Sequence, residues 1–383
     1  MKPSKFFSTV ILSLVAVLNA QTREPLTPPR WTIGPFSRPA SGNPVISPQP
    51  KSEFQDPILK LPVHWEALHT FNPAAVVREG KVYVLYRAED DSGSMQIGMH
   101  TSRLGLAESS DGFHFTRLME PVFYPAGDRE KAREWPGGVE DPRIVEREDG
   151  VYVMTYTQWN RQTYSVGIAT STDLKHWEKH GPAFLAGKAG KYAQLRYKSA
   201  GMVSRVDRAK GRLIAAKIKG RYWMYWGEGT IHVATSADLV HWMPVEDATG
   251  KPIELLQPRA GHFDSTFPET GPPPVLTSKG IVVIYNGKNA DSGGDPTLGA
   301  GAYAAGEALF DAHNPAHLIA QTPGPLLKPE FPYEKTGQYA AGTTFAEGLV
   351  FFAGKWFLYF GCADSLVAVA TAPAGDDTVA PGP

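Results

Sequence analysis

The sequence predicts an all-β protein and, more narrowly, a five-bladed β-propeller. Five segments each contain a short strand, a tight turn and a longer aromatic strand, and these second strands end on Tyr86, Tyr156, Tyr225, Tyr285 and Tyr359. The steps between these tyrosines are 70, 69, 60 and 74 residues. Alternating apolar residues, β-branched residues and Asp/Gly/Asn turns indicate strands rather than helices. Five such units are typical of a propeller, and a β-sandwich with accidental similarity is the alternative.

The chain divides into four predicted regions. Residues 1–20 pair Lys2 and Lys5 with the apolar run "FFSTVILSLVAVL", which is typical of a cleaved secretory signal. We therefore expect a periplasmic or extracellular protein that begins near Gln21, because the run is short for the alternative, a retained membrane anchor. Residues 21–60 are proline-rich and predict an extended arm, 61–372 predict the propeller, and 373–383 predict a disordered tail.

Composition narrows the possible partners. The 38 basic and 39 acidic residues are spread along the 383-residue chain, so we expect neither a nucleic-acid surface nor a membrane-binding stripe. The single Cys362 precludes an internal disulfide and a cysteine metal cluster. The 11 histidines include no HExxH pair, so we expect no metal and no cofactor. His176 and His241 recur in "DLxHW" turns and are predicted to be structural.

The predicted propeller brings polar residues from all five blades to one face. The first strand of each blade lines the axis and the second runs antiparallel to it, so the start of one and the end of the other share a face. The starts carry Asn72, Asp141, Lys198 with Ser199, Glu269 and Glu347. The ends carry Arg87 with Asp90, Gln158, Glu228, Asn286 and Asp364. Such a collection predicts a binding site for a polar ligand.

Three acids are candidates for catalysis. Asp141 precedes Pro142, which predicts an extended aspartate, and Arg143 lies on the same side of the strand, where it would lower the pKa of Asp141 or contact a hydroxyl. A salt bridge that caps the blade is the alternative. Glu228 in "YWGEGT" and Glu269 in "FPETGPPP" are either solvated loop residues or partners of Asp141. One acid and one base are what hydrolysis of a sugar bond requires.

Several motifs resemble those of glycoside hydrolase family 130, the β-mannoside phosphorylases and β-1,2-mannosidases. They are "FNPAAVV", "GVEDPRIV", "KSAGMV", "FDSTFPETGPPPVL" and "LYFGCADS", and the resemblance covers about residues 60–372. It implies a five-bladed β-propeller with Asp141 as the proton donor, which in the phosphorylases acts through a hydroxyl of the bound mannose. It also implies that the sugar is held by Asn72, Arg87, Asp90, Arg143, Lys198, Asp264 and Asp364.

The same resemblance bears on whether water or phosphate attacks the sugar. Where phosphorylases bring an arginine to phosphate, this chain has Ser165 and Val166, and Arg161 lies earlier. The motifs around Glu228 and Glu269 resemble those of hydrolytic members, and a glutamate there would repel phosphate. We therefore expect an inverting β-1,2-mannosidase with Asp141 as acid and either or both glutamates activating water. The alternatives are a β-mannoside phosphorylase that releases mannose 1-phosphate and a non-catalytic glycan-binding propeller.

Overall fold

The structure is a computed structural model that describes residues 29–185, 190–207 and 209–375. The predicted signal peptide and residues 376–383 of the predicted tail lie outside the described residues. In the described part, an α-helical turn spans Lys131–Glu134 and a 3-10 turn spans Pro332–Glu334. A search of the described residues finds no helix with the length and apolarity needed to cross a membrane.

Antiparallel strands form five blades, which confirms the predicted propeller. Blade 1 contains His69–Arg78, Lys81–Glu89, Ser102–Ser109 and Thr116–Arg117. Blade 2 contains Gly138–Glu146, Tyr152–Trp159, Tyr164–Ser171 and Glu178–Pro182. Blade 4 contains Phe267–Thr270, Val275–Thr277, Gly280–Lys288, Tyr303–Phe310 and Leu318–Gln321. Blade 5 contains Thr344–Phe352, Lys355–Cys362 and Leu366–Pro373.

Blade 3 differs from the single hairpin that the repeat predicts. Its strands are Ala200–Met202, Ser204–Asp207, Arg212–Ala215, Lys217–Ile218, Arg221–Trp226, His232–Ser236 and Trp242–Pro244. Lys219 and Gly220 both have positive φ, 50° and 74°, and join the paired residues Ile218 and Arg221. This is the two-residue loop that favours a tight hairpin, so the second strand of the repeat is split into two.

Five apolar clusters, one between each pair of neighbouring blades, form the core. Each cluster has buried members from both blades, for example Leu85 and Ile144 (blades 1 and 2), Val153 and Met202 (2 and 3), Tyr225 and Ile281 (3 and 4), Ile284 and Leu358 (4 and 5), and Phe357 and Val84 (5 and 1). The last cluster joins the final blade to the first, so the ring of blades is closed. Each sheet therefore buries both of its faces against neighbours, which removes apolar surface from water.

The five repeat tyrosines are buried anchors of this core. Each hydroxyl donates a hydrogen bond of 2.7 to 2.9 Å, as a buried tyrosine requires; the acceptors are Glu66, Glu134, the Pro315 carbonyl, Asp264 and the Gly112 carbonyl. The three acids among these acceptors are in turn paired with Arg117, Lys179 and Arg259. The sequence repeat is thus a repeat of buried hydrogen-bonded groups as well as of strands.

Residues 37–46 of the proline-rich arm lie along the outer edge of blade 5. Ser37 and Ile46 form antiparallel bridges to Thr371 and Val367. Between them, the Asn43 side chain donates to the Val369 carbonyl and accepts from the Val369 amide. The arm therefore supplies a fourth, outermost segment to the blade and covers an edge that would otherwise expose unpaired backbone groups.

The buried carboxyl group of Glu307 joins the arm to blade 4 and predicts a pH-dependent stability. Its Oε1 accepts a hydrogen bond of 2.8 Å from the Ile33 amide, and burial raises its pKa to about 8. The folded protein therefore holds a proton that the unfolded chain releases near its ordinary pKa of 4.5, so stability falls as pH rises from about 4.5 to about 8.

Glu307→Gln removes this titration while keeping an oxygen for the Ile33 amide. We expect the free energy of unfolding of the variant, relative to the wild type, to rise by at least about 1.4 kcal/mol from about pH 5 to about pH 9, the equivalent of one pKa unit. Denaturant titrations at both pH values measure it. A pH-independent difference between the two proteins would contradict the assignment.

Candidate active site

A cavity of about 280 Å³ lies on the face where first strands begin and second strands end. Residues from all five blades line it, as the predicted convergence requires. Seven of the ten predicted site residues are in the lining: Asn72, Arg87, Asp141, Lys198, Glu228, Glu269 and Asp364.

β-Bulges aim two of these side chains into the cavity. The pairing register shifts around Asn72 and again around Asp141, and both residues have left-handed φ values of 45° and 49°. Asparagine and aspartate tolerate this region better than most residues, and a bulge re-aims the side chain that it carries. Asp141 is therefore not in the extended conformation that Pro142 predicts, because the bulge fixes its backbone instead.

Asp141 is held by blade 1. Its Oδ1 accepts hydrogen bonds from Asn72 Nδ2 at 2.9 Å and from Arg87 Nη1 at 3.3 Å. Burial would raise the pKa of Asp141, but the positive charges of Arg87, Lys198 and Arg143 outweigh it and the pKa is lowered. The carboxylate is thus fixed in position and in its ionised form in the ligand-free protein.

Arg87 is the centre of a buried group of acids. Its guanidinium stacks on the Phe71 ring at 4.5 Å and contacts Glu89 at 2.6 Å, Glu140 at 2.8 Å and Asp141 at 3.3 Å. Burial, Asp141 and Glu89 raise the pKa of Glu140 to about 7 against the pull of Arg87. These surroundings also raise the pKa of Asp364 to about 7, with burial the largest cause. Two carboxyl groups beside Asp141 therefore titrate near neutral pH.

A second charged group faces the cavity from blades 3 and 4. Lys198 Nζ lies 3.3 Å from Glu228 Oε1 and 3.9 Å from Glu269 Oε1, and Ser199 donates a hydrogen bond to Glu269. Burial and the charge of Glu228 raise the pKa of Glu269 to about 7, although Lys198 opposes this. Burial alone would lower the pKa of Lys198, but both glutamates and Asp141 raise it, so the lysine is charged. The pair of glutamates and the lysine can hold and polarise a water molecule.

Aromatic side chains complete the cavity wall. They are Phe71, Trp159, Tyr164, Tyr303, Tyr339 and Phe345. Rings of this kind beside a few fixed polar groups are typical of a site for a small ligand with both apolar and hydroxyl-bearing faces. These tyrosines and phenylalanines were not among the predicted site residues: Phe71 lies in the motif "FNPAAVV", whereas the others come from loops and strands with no shared motif. It also did not select Glu140 as a cavity residue, although its position next to Asp141 was a usable signal.

Three predicted sugar-binding residues do not line the cavity. Asp90 is buried against Arg103 at 2.7 Å, and Asp264 is buried against Arg259 at 2.8 Å and the Tyr285 hydroxyl. The carboxylates of both acids are therefore paired with an arginine inside their own blades instead of facing the cavity.

Arg143 is the third, and it is buried. Its guanidinium donates to the carbonyls of Asp141, Thr270 and Gly271, at 2.8 to 3.0 Å, and lies 3.4 Å from Glu347. The arginine therefore links blades 2, 4 and 5 and supports the backbone of Asp141 rather than facing a ligand.

The histidines also have assigned places. His176 and His241 contact Asp173 and Asp238 in exposed turns, which agrees with the structural role predicted for them. His69 and His100 approach Glu89 outside the cavity lining, with ligand atoms of the three residues within 4.8 Å of one another, and the sequence did not predict this group. The two histidines are too far apart in sequence to form a recognisable motif.

The chain is similar to characterised enzymes. A model of glycoside hydrolase family 130, described as beta-1,4-mannooligosaccharide phosphorylase, matches residues 44–376. The 1,2-beta-oligomannan phosphorylase of Thermoanaerobacter sp. (strain X514) is 30% identical over 334 residues, which cover 86% of this chain and 95% of that protein.

Solved structures are similar over nearly the same length. A glycosyl hydrolase from Bacteroides ovatus is 49% identical with a TM-score of 0.89, over 92% of this chain and 98% of that one. Another is 50% identical with a TM-score of 0.89, over 93% of this chain and 98% of that one. It comes from work describing the family of mannoside phosphorylases as containing glycoside hydrolases that target β-1,2-mannosidic linkages in Candida mannan. The family match spans most of the chain and agrees with the fold and with the motifs, and the chain therefore belongs to glycoside hydrolase family 130.

Proposed function

We propose that the protein is an exported glycoside hydrolase that cleaves β-1,2-linked mannosides with inversion. The observation that carries the proposal is the charge of the cavity wall, in which Glu140, Asp141, Glu228, Glu269 and Asp364 outnumber Arg87 and Lys198. A wall with this excess of acids repels phosphate and accepts water and sugar hydroxyls. Export is proposed from the N-terminal signal pattern alone.

Asp141 acts as the proton donor in this mechanism. Its lowered pKa leaves it ionised in the free protein, so the proton must reach it from a neighbour. Glu140 and Asp364 have pKa values of about 7 and keep a proton in the same cluster near neutral pH. A bound sugar excludes water from this group of acids. One of the sugar's hydroxyl groups then carries the proton from the acids to the oxygen of the leaving group, and the acids titrate together as a coupled set.

Glu269 acts as the base, with Glu228 as its partner. Ser199 and Lys198 fix the Glu269 carboxylate, which in its ionised form takes a proton from the attacking water. Lys198 offsets the charge that two adjacent glutamates would otherwise build up. Water activated on the blade 3 and 4 side, with the acid on the blade 1 and 2 side, gives attack opposite to the leaving group and hence inversion.

A β-mannoside phosphorylase is the second candidate, favoured by the curated relatives. The relative is named as a 1,2-beta-oligomannan phosphorylase, and the similar solved structure comes from work on hydrolases that target β-1,2-mannosidic linkages. Both comparisons therefore support a β-1,2-linked substrate for this protein. Arg161, which would be a phosphate ligand in this alternative, is not among the residues that line the cavity. Among the described residues, the bases in that lining are Arg87 and Lys198, and both are paired with acids.

Phosphate dependence separates the two reactions. With β-1,2-mannobiose as substrate we expect mannose as the only product, at a rate that added inorganic phosphate leaves unchanged within about twofold, because the acids of the cavity wall repel phosphate and pair with Arg87 and Lys198. Product analysis by chromatography with and without phosphate measures this. Mannose 1-phosphate among the products would replace the hydrolase assignment with the phosphorylase.

Asp141→Asn tests catalysis against glycan binding. We expect kcat/KM for β-1,2-mannobiose to fall by about 10²-fold or more, the usual contribution of a general acid, because an amide cannot supply the proton. Binding of the disaccharide, measured by calorimetry, should change much less. Asp238→Asn, in an exposed turn, is the matched control and should keep full activity. Turnover in Asp141→Asn close to that of the control would favour the non-catalytic alternative.

The pKa values of the two charged groups predict a narrow pH optimum. Activity requires ionised Glu269, so kcat/KM rises with pH through about 7; it also requires a proton shared by Glu140 and Asp364, so it falls with pH through about 7. We expect a bell-shaped profile centred near pH 7 and, in Glu269→Gln, loss of its rising limb together with most of the rate. A rising limb that persists in Glu269→Gln would assign the base to another residue.

A further inference from the structure

His69, Glu89 and His100 meet next to the active site. His69 begins the first strand of blade 1 and pairs with Glu89 at the end of the second, while His100 precedes the third strand. One ligand atom from each residue lies within 4.8 Å of the other two, and the imidazole rings are 6.1 Å apart. Glu89 and His100 are buried, at 0% and 2% exposure. The fold therefore encloses two imidazoles and a carboxylate in one small volume.

Hydrogen bonds fix His100 with a free nitrogen lone pair. Its Nδ1 lies 2.7 Å from the Ser92 carbonyl oxygen. A carbonyl oxygen only accepts, so Nδ1 must carry the proton, and in a neutral imidazole Nε2 is then the unprotonated nitrogen. This is the tautomer in which histidine binds metals, with the other nitrogen held by a backbone carbonyl.

The surroundings of His69 favour the same tautomer. Its Nδ1 lies 2.9 Å from the Ser365 hydroxyl oxygen. The Ser365 hydroxyl donates its own proton to the Ala363 carbonyl oxygen at 3.2 Å. The same hydroxyl oxygen accepts a hydrogen bond from the backbone amide of Gln338 at 3.0 Å. His69 then donates from Nδ1 and keeps its Nε2 lone pair.

Glu89 brings the negative charge. Arg87 donates to one carboxylate oxygen at 2.6 Å and Gln338 donates to the other at 3.1 Å, and each oxygen keeps further acceptor capacity. In these tautomers each histidine keeps its Nε2 lone pair, and with a Glu89 oxygen the group supplies three electron-pair donors. We propose that His69, Glu89 and His100 form a binding site for a divalent cation of the zinc type, for which two imidazoles and a carboxylate are a suitable ligand set.

The cation would order one wall of the active site. His100 holds Ser92, at the start of the loop that carries Ile97 and Gly98 into the cavity lining. Glu89 holds Arg87, which in turn holds Asp141. The three ligands are therefore positioning residues, and the cation is not required to touch the substrate.

Metal binding by the full, tag-free protein after chelator treatment tests the site. Titration with Zn²⁺ by calorimetry should give one equivalent bound, and Co²⁺ should give the absorption bands of a low-coordinate nitrogen and oxygen site. We expect affinity to fall at least about tenfold in His69→Asn and in His100→Ala, since each removes a ligand. His241→Ala, which removes an exposed histidine, should bind as the wild type does.

Thermal unfolding guards against variants that do not fold. Zn²⁺ in excess should raise the Tm of the wild type and of His241→Ala, because a ligand that binds only the folded state stabilises it, and should leave folded His69→Asn unchanged. If His100→Ala fails to fold, His69→Asn and anomalous diffraction at the zinc edge decide the matter. Absence of binding to the wild type, equal binding by the folded variants, or an anomalous peak elsewhere would each overturn the proposal.

Discussion

The active face of this propeller depends on the buried guanidinium of Arg87. It contacts Glu89, Glu140 and Asp141 directly, and the charge of Asp364 also raises its pKa. Buried carboxylates without such a partner would be protonated, because desolvation of an isolated charge costs several kcal/mol. Carboxylates that stayed ionised would repel one another. One arginine therefore lets several acids from blades 1, 2 and 5 share one small volume, with Asp141 ionised and Glu140 and Asp364 close to half-protonated at neutral pH.

The closed ring of blades makes that concentration of charge possible. Each blade is held on both faces by an apolar cluster, and the repeat tyrosines fix the blades further from within. The arm completes the outer edge of blade 5, next to the interface between the last blade and the first. Because apolar burial between the blades supplies the stabilisation, the strand ends at the axis are free to carry unfavourable backbone angles and buried charges.

The sequence predicted the fold well because the repeat is a physical requirement of every blade. Each blade packs between two others and therefore needs a strand with alternating apolar residues and a buried tyrosine. The five copies of this pattern in the sequence therefore predict five blades. Because neighbouring strands are antiparallel, the first strands begin on the same face where the second strands end. This predicted that Asn72, Asp141 and Glu269 would lie together, and all three line one cavity. The repeat did not predict the strands of blade 3 correctly, because a two-residue turn at Lys219 and Gly220 splits the second strand of that blade.

Side-chain pairing inside the blades was beyond what the sequence could predict. Asp90, Arg143 and Asp264 occupy positions that the resemblance assigns to the sugar, yet each contacts a partner from another strand or blade, namely Arg103, the Thr270 carbonyl and the Tyr285 hydroxyl. Conversely, His69 and His100 meet only because two strand ends and a loop of blade 1 converge. Both cases have one cause: motif and spacing locate the backbone, whereas the direction of a buried polar side chain depends on which donors and acceptors the rest of the fold places around it.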